Sequence, residues 1–175
     1  VTGPETSMIY GRLTANSNFF LVNPNGVYFS PQAQVNVHNL VVSTLDVSTN
    51  NFINGNYILE RNLNAPYSQI LNEGRITTNN LALIGSSVNN TGVLVAKAGT
   101  VHLASGDKAT VSFDNRGYLN VVINEKTSGM VMDMNGKSIK DAVANSGAIE
   151  AREVVMSAKT ANDIFKNAVN QTGIV

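Results

Sequence analysis

The chain has 175 residues, with 12 basic and 12 acidic side chains, so its formal charge is zero. Only 14% of residues are charged, against roughly 25% in an average soluble domain, and cysteine and tryptophan are absent. This excludes a basic footprint for nucleic acid, a disulfide framework, a thiolate metal site and a cysteine nucleophile; nor does any apolar run approach the roughly 18 residues of a spanning helix.

The opening Val1-Thr2-Gly3-Pro4 has neither the basic start nor the apolar core of a signal peptide. Short β-rich runs then follow at 19–22, 27–29, 35–37, 40–43, 81–84, 93–96, 101–103, 109–113 and 118–123. Val and Ile are frequent in them, and apolar and polar residues alternate in Ala109-Thr110-Val111-Ser112-Phe113. Turn signals punctuate the runs, among them Asn23-Pro24-Asn25-Gly26, Asn54-Gly55, Asn115-Arg116-Gly117 and Asn135-Gly136. The pattern predicts an all-β protein. Two stretches read as helical: 159–169, with Ala161, Ile164, Phe165, Ala168 and Val169 on one face, and more weakly 137–144.

Internal repeats select among all-β folds. Asn-x-Gly followed two residues on by an aliphatic residue occurs at Asn72-Glu73-Gly74, Asn90-Thr91-Gly92 and Asn145-Ser146-Gly147. A longer unit joins Val88-Asn89-Asn90-Thr91-Gly92 to Val169-Asn170-Gln171-Thr172-Gly173. The glycines are separated by 18, 55 and 26 residues. The middle interval is close to three coils and the last to one coil plus an insertion. A period near 20 with short strands and a turn Gly predicts a β-solenoid, whose coils bury an apolar column only by stacking. A sandwich also has turns every 8–12 residues, but has no reason to repeat Val-Asn-(Asn/Gln)-Thr-Gly at equivalent points. Gly74, Asn90, Gly92, Asn145, Gly147 and Gly173 are therefore expected at coil corners. There Gly, and next best Asn, tolerates φ > 0, and Asn stacked on Asn in the next coil can form an amide ladder.

Catalytic chemistry is poorly represented. A carbohydrate-cleaving β-helix needs clustered carboxylates, and the 12 here are scattered. Glu150, Arg152 and Glu153 read as a solvated strand face, and His38 and His102 have no obvious carboxylate partner. No phosphate loop or Ser-centred nucleophile motif is present. The expectation is no enzyme, no catalytic residue, no metal and no cofactor. The sharpest local signal is Asn23-Pro24-Asn25-Gly26 between two strands. Pro24 presets the second turn position, Asn25 tolerates a left-handed conformation and Gly26 relieves the exit.

The stretches Ile9-Tyr10-Gly11-Arg12-Leu13-Thr14-Ala15-Asn16 and Phe20-Leu21-Val22-Asn23-Pro24-Asn25-Gly26-Val27, with Val1-Thr2-Gly3 before them, resemble the secretion and haemagglutination-activity domain of filamentous-haemagglutinin-like exoproteins. These are the secreted partners of bacterial two-partner secretion systems. The similarity continues through Leu40-Val41-Val42-Ser43-Thr44-Leu45-Asp46-Val47, Val88-Asn89-Asn90-Thr91-Gly92 and Val143-Ala144-Asn145-Ser146-Gly147. Ser17, Ser30 and Asn39 stand where the family pattern usually has Gly. The resemblance implies a right-handed parallel β-helix with short extra-helical insertions. Residues 1–62 would be the C-terminal portion of the signature region and 63–175 continuing coils, roughly eight in all, cut from a larger protein at both ends. It implies recognition by an outer-membrane β-barrel transporter with periplasmic docking modules, passage of the unfolded chain, and folding outside the cell as the scaffold of an adhesin, haemagglutinin or contact-delivered toxin. Asn23, Pro24, Asn25 and Gly26 are its best candidate secretion determinant, with a purely folding role as the competing reading. A host glycan or surface receptor stays open as a further partner. The alternative is a carbohydrate-binding or carbohydrate-cleaving β-helix.

Overall fold

Strands form where aliphatic residues alternate, and they stop at Asn and Gly. The computed structural model describes residues 3–175; Val1 and Thr2, the start of the resemblance, lie outside the described residues. In chain order the first four strands are β1 (Ser7–Ile9), β2 (Arg12–Val22), β3 (Val27–Phe29) and β4 (Gln34–Ser43). Helix α1 (Thr49–Ile53) and β5 (Tyr57–Glu60) follow, then β6 (Gln69–Asn72), β7 (Arg75–Thr77), β8 (Asn80–Gly85), β9 (Ser87–Asn90) and β10 (Val93–Ser105). The chain continues through β11 (Lys108–Phe113), β12 (Leu119–Glu125), β13 (Asp141–Asn145), β14 (Ala148–Ala158) and β15 (Asn167–Gln171).

The protein is predominantly β, and most pairing is parallel. One sheet has the order β1-β3-β6-β9-β13-β15 and a second β14-β10-β7-β4-β2, with β8 between β4 and β10. The chain alternates between these sheets, and each pass lies in parallel register on an earlier one, as in Val27↔Ile70, Ile70↔Val88 and Val88↔Val143. The apolar residues facing inward from both sheets form one core. It includes Phe29, Ile70, Val88 and Val143 from the first sheet and Leu40, Leu81, Leu83, Leu94, Leu103 and Ile149 from the second.

The long strands of the second sheet bend at the same point in successive layers. Register shifts fall between Ala15 and Asn18 and between Ala96 and Thr100, and β7 and β8 are the two halves of an interrupted strand. A three-stranded antiparallel sheet, β12-β11-β5, covers the outer face of the second half. Its Leu59, Ala109, Val111, Leu119 and Ile123 pack on Val41, Ala82, Ile84 and Ala104. This explains why all six residues of β8 are buried.

Three expectations change. The interval from Gly92 to Gly147 is not three coils: Asn90 pairs directly with Asn145, and the intervening chain is diverted into β11, β12 and the segment after them. The first parallel sheet accordingly has six strands, fewer than the eight expected coils. The 159–169 stretch forms no helix. Asp163 sits in a turn at φ 63°, and Val169 pairs with Val143. Adding a strand to an existing edge outweighs the weak helical propensity of that stretch. The same reason makes 141–145 a strand where a weak helix was expected. Helix α1, unannounced by any strong periodicity, is capped by Ser48, whose Oγ accepts from the Asn51 N–H at 3.2 Å.

Candidate functional site

The 23–26 turn joins β2 to β3. The Gly26 N–H donates to the Asn23 carbonyl at 3.0 Å, and the Asn25 N–H donates to the Asn23 side-chain oxygen, also at 3.0 Å. Asn23 thus makes an Asx turn inside a β-turn. Gly26 adopts φ 108°, a conformation that a side chain would strain. The Asn23 amide donates to Glu5 O at 2.9 Å and to Ser7 Oγ at 2.8 Å. Its backbone N–H reaches Ser43 O in the next layer at 2.9 Å. Asn23 is completely buried. Asn25 is half-buried and donates to Gly3 O at 3.1 Å, while Thr6 Oγ1 donates to Asn25 O at 2.8 Å. The motif therefore clasps the chain before β1 against the edge of the first layers.

The repeat residues lie between the two parallel sheets, at the links β6–β7, β9–β10 and β13–β14 and just after β15. Asn72 Nδ2 donates to Asn90 Oδ1 at 2.7 Å, Asn90 Nδ2 to Asn145 Oδ1 at 2.7 Å, and Asn145 Nδ2 to Gln171 Oε1 at 2.8 Å. The column ends at Asn72, whose Oδ1 is buried without a partner, because the residue in register beneath it is Phe29. Beside the amides runs a column of glycines. A Cβ on Gly92 would come 2.2 Å from Gly74 O, one on Gly147 2.1 Å from Gly92 O, and one on Gly173 2.1 Å from Gly147 O. None of these four has a positive φ. The expected reason for glycine therefore changes from backbone conformation to close approach between layers.

A second amide column escaped the sequence reading. Asn39 Nδ2 donates to Asn18 Oδ1 at 2.8 Å and Asn80 Nδ2 to Asn39 Oδ1 at 2.9 Å, at the bend of the long strands. Asn39 occupies a position where a family glycine was expected. The signal was a recurrence of Asn before the apolar runs starting at Phe19, Leu40 and Leu81.

The titratable residues do not converge. Among the described residues no group of three or more His, Cys, Asp or Glu could hold a metal ion. His38 is exposed, its Nδ1 3.0 Å from Asn79 Nδ2. His102 is buried beneath β12, with Nε2 3.0 Å from Leu119 O. Burial lowers its pKa below the usual 6.5. Glu150 and Glu153 are exposed and engage Lys97 and Arg152. Among the described residues no helix is long and apolar enough to cross a membrane.

A family model, that of the TPS (two-partner secretion) secretion domain, matches residues 1–175. The chain belongs to the TPS secretion domain family. A Heme/hemopexin-binding protein of Haemophilus influenzae strain Rd is 29% identical over 170 residues, covering 93% of this chain and 18% of that protein. A second Heme/hemopexin-binding protein of Haemophilus influenzae is 27% identical over 199 residues, covering the whole chain and 20% of its own length. The TPS domain thus spans about a fifth of these relatives. Among solved structures, the HMW1 secretion domain of Haemophilus influenzae aligns with a TM-score of 0.66 at 26% identity, over 99% of this chain and 48% of that one. None of these relatives is named as an enzyme.

Proposed function

We propose that this TPS domain is the non-enzymatic secretion and scaffold module of a larger secreted bacterial protein, an adhesin, haemagglutinin or contact-delivered toxin. In this reading an outer-membrane β-barrel transporter recognises the chain in the periplasm, and the chain folds outside the cell into a right-handed parallel β-helix. The observation that carries the reading is the family match along the whole length. The hand follows from the strong right-handed preference of parallel crossover connections. Contacts that run chiefly from one layer to the next suit a chain emerging end first, because each layer can dock on the one before it. Lack of Cys suits passage through an oxidising compartment. Asn23, Pro24, Asn25 and Gly26 are proposed as the secretion determinant, read by the transporter in the extended chain. Burial of Asn23 then belongs to the folded product.

The test is export of the chain fused to a reporter, behind a periplasmic targeting signal, with and without its cognate transporter. Release into the medium only with the transporter supports the reading. Equal release without it, or none with it, sinks it.

A further inference from the structure

The outer face of the second sheet differs on the two sides of its bend. Beyond the bend it is covered by the β12-β11-β5 sheet. Before the bend it is open, and three layers present a grid of polar side chains there. In parallel register, Arg12, Gln34 and Arg75 form one row across β2, β4 and β7, and Thr14, Asn36 and Thr77 form the next. Their chain neighbours Leu13, Val35 and Ile76 turn into the core, so the grid residues point outward. Asn16, His38 and Asn79, all exposed, continue the grid at the bend. Layers about 4.8 Å apart, with alternate residues about 6.7 Å apart along each strand, make a patch of roughly 10 by 13 Å.

The grid is concave. A cleft of about 670 Å³ is lined chiefly by Thr14, Asn16, Asn36, His38, Thr77 and Asn79. A second cleft of about 330 Å³ adds Arg12, Gln34 and Arg75 and shares Thr14, Asn36 and Thr77 with the first, so the two are continuous. The larger falls within the roughly 300–1,000 Å³ of small-ligand sites. Its amides differ from those elsewhere in the chain. Asn39, Asn80 and Asn90 use their side chains for bonds inside the fold. Among the described residues, the side chains of Thr14, Asn16, Asn36, Thr77 and Arg75 make no hydrogen bond or ion pair with the protein. Arg12 reaches Gln34 only at 3.4 Å. No grid residue is acidic, and the next carboxylate along the Thr77 row, Glu150, is held by Lys97 at 3.4 Å.

We propose that this grid is a binding site for an acidic oligosaccharide, a short chain of hydroxyl-rich rings carrying carboxylate or sulfate groups. Arg12 and Arg75 are placed to meet the anionic group, because a guanidinium presents a planar fork of donors to paired oxygens. Thr14, Asn16, Asn36 and Thr77 offer both donors and acceptors, which ring hydroxyls need. A protein partner would call for a buried aromatic or apolar anchor, and the grid contains no aromatic residue. The site shares no residue with the 23–26 turn, so it stands apart from the secretion reading.

The test is a titration of the full 15N-labelled chain with tetragalacturonate and with sulfated cellotetraose, each beside its neutral counterpart, the methyl ester and plain cellotetraose. At least one acidic probe is expected to shift the side-chain amide signals of Asn16 and Asn36 while that of Asn54, exposed and bonded to Asn50, stays still. That probe should bind about tenfold or more tightly than its neutral counterpart, the worth of one charge-assisted hydrogen bond. Arg12→Gln/Arg75→Gln changes two exposed residues, keeps the wild-type Tm, and lowers affinity for that probe by about tenfold or more. Arg116→Gln/Lys126→Gln removes two exposed charges elsewhere and leaves affinity within about twofold, since distant exposed charges are screened. Four outcomes would overturn the proposal: no binding of either acidic probe, equal binding of the neutral counterparts, undiminished affinity in Arg12→Gln/Arg75→Gln, or equal loss in the two double variants.

Discussion

The 23–26 turn and the corner column use the same two residue types for different physics. In the turn, one Asn bonds its own backbone and the chain before β1, and Gly26 is needed for its φ of 108°. In the column, each Asn donates to the next layer, and Gly92, Gly147 and Gly173 are needed because a carbonyl of the neighbouring layer would lie 2.1–2.2 Å from a Cβ. The turn is a single clasp at one end, whereas the column is a repeated joint. Damage at the joint breaks a layer contact; damage at the clasp frees the segment that leads into β1.

The largest effect is expected from Gly92→Ala or Gly147→Ala. The new methyl meets rigid backbone rather than a side-chain tip, so overpacking costs about 3 kcal/mol or more. Urea denaturation of the purified chain reads it. A loss below about 1 kcal/mol would mean that the layers separate easily. Asn90→Ala comes next. It leaves the buried Asn72 amide and Asn145 oxygen without their ladder partners, at about 2–4 kcal/mol for the two groups. Asn72→Ala should cost visibly less in the same assay, because the Asn72 Oδ1 already lacks a partner. Asn23→Ala is expected to cost about 2 kcal/mol through its lost bonds to Glu5, Ser7 and the Asn25 N–H.

A smaller effect separates both regions from the covered face of the second sheet. His102 is held neutral by burial, with its pKa below 6.5, against a raising influence from the Leu119 carbonyl and Glu153. Below pH 6.5 the unfolded chain binds a proton that the folded chain resists. Stability therefore falls as pH drops through 6.5 and levels off once pH passes below the folded-state pKa. His102→Gln should flatten the change in Tm between pH 7 and pH 5.5, and an unchanged slope would assign it to other groups.

Much of this architecture was legible because the repeat is written twice, once in apolar alternation and once in Asn-x-Gly. The 27–29 strand appeared as expected, and the runs at 40–43 and 81–84 fell within β4 and β8. That stacked Asn side chains can form an amide ladder was a general expectation; the Asn90–Asn145 bond is one such pair. The layer count was not, because an interval of 55 residues fits three coils as well as one coil and a long excursion. Only the Asn90↔Asn145 pairing distinguishes them. Nor could spacing reveal why glycine recurs, since close approach and positive φ leave the same letter in the sequence.

The division of duties is tested most directly by export through the cognate transporter of two variants, each also measured for stability. Asn25 is half-buried, and its side chain donates one exposed bond to Gly3, so Asn25→Ala should cost less than about 1 kcal/mol. The account predicts that Asn25→Ala abolishes export while its purified form melts within a few degrees of wild type, and that Asn90→Ala is exported but emerges markedly less stable. Wild-type export of Asn25→Ala would contradict it and leave the 23–26 turn with a folding role alone.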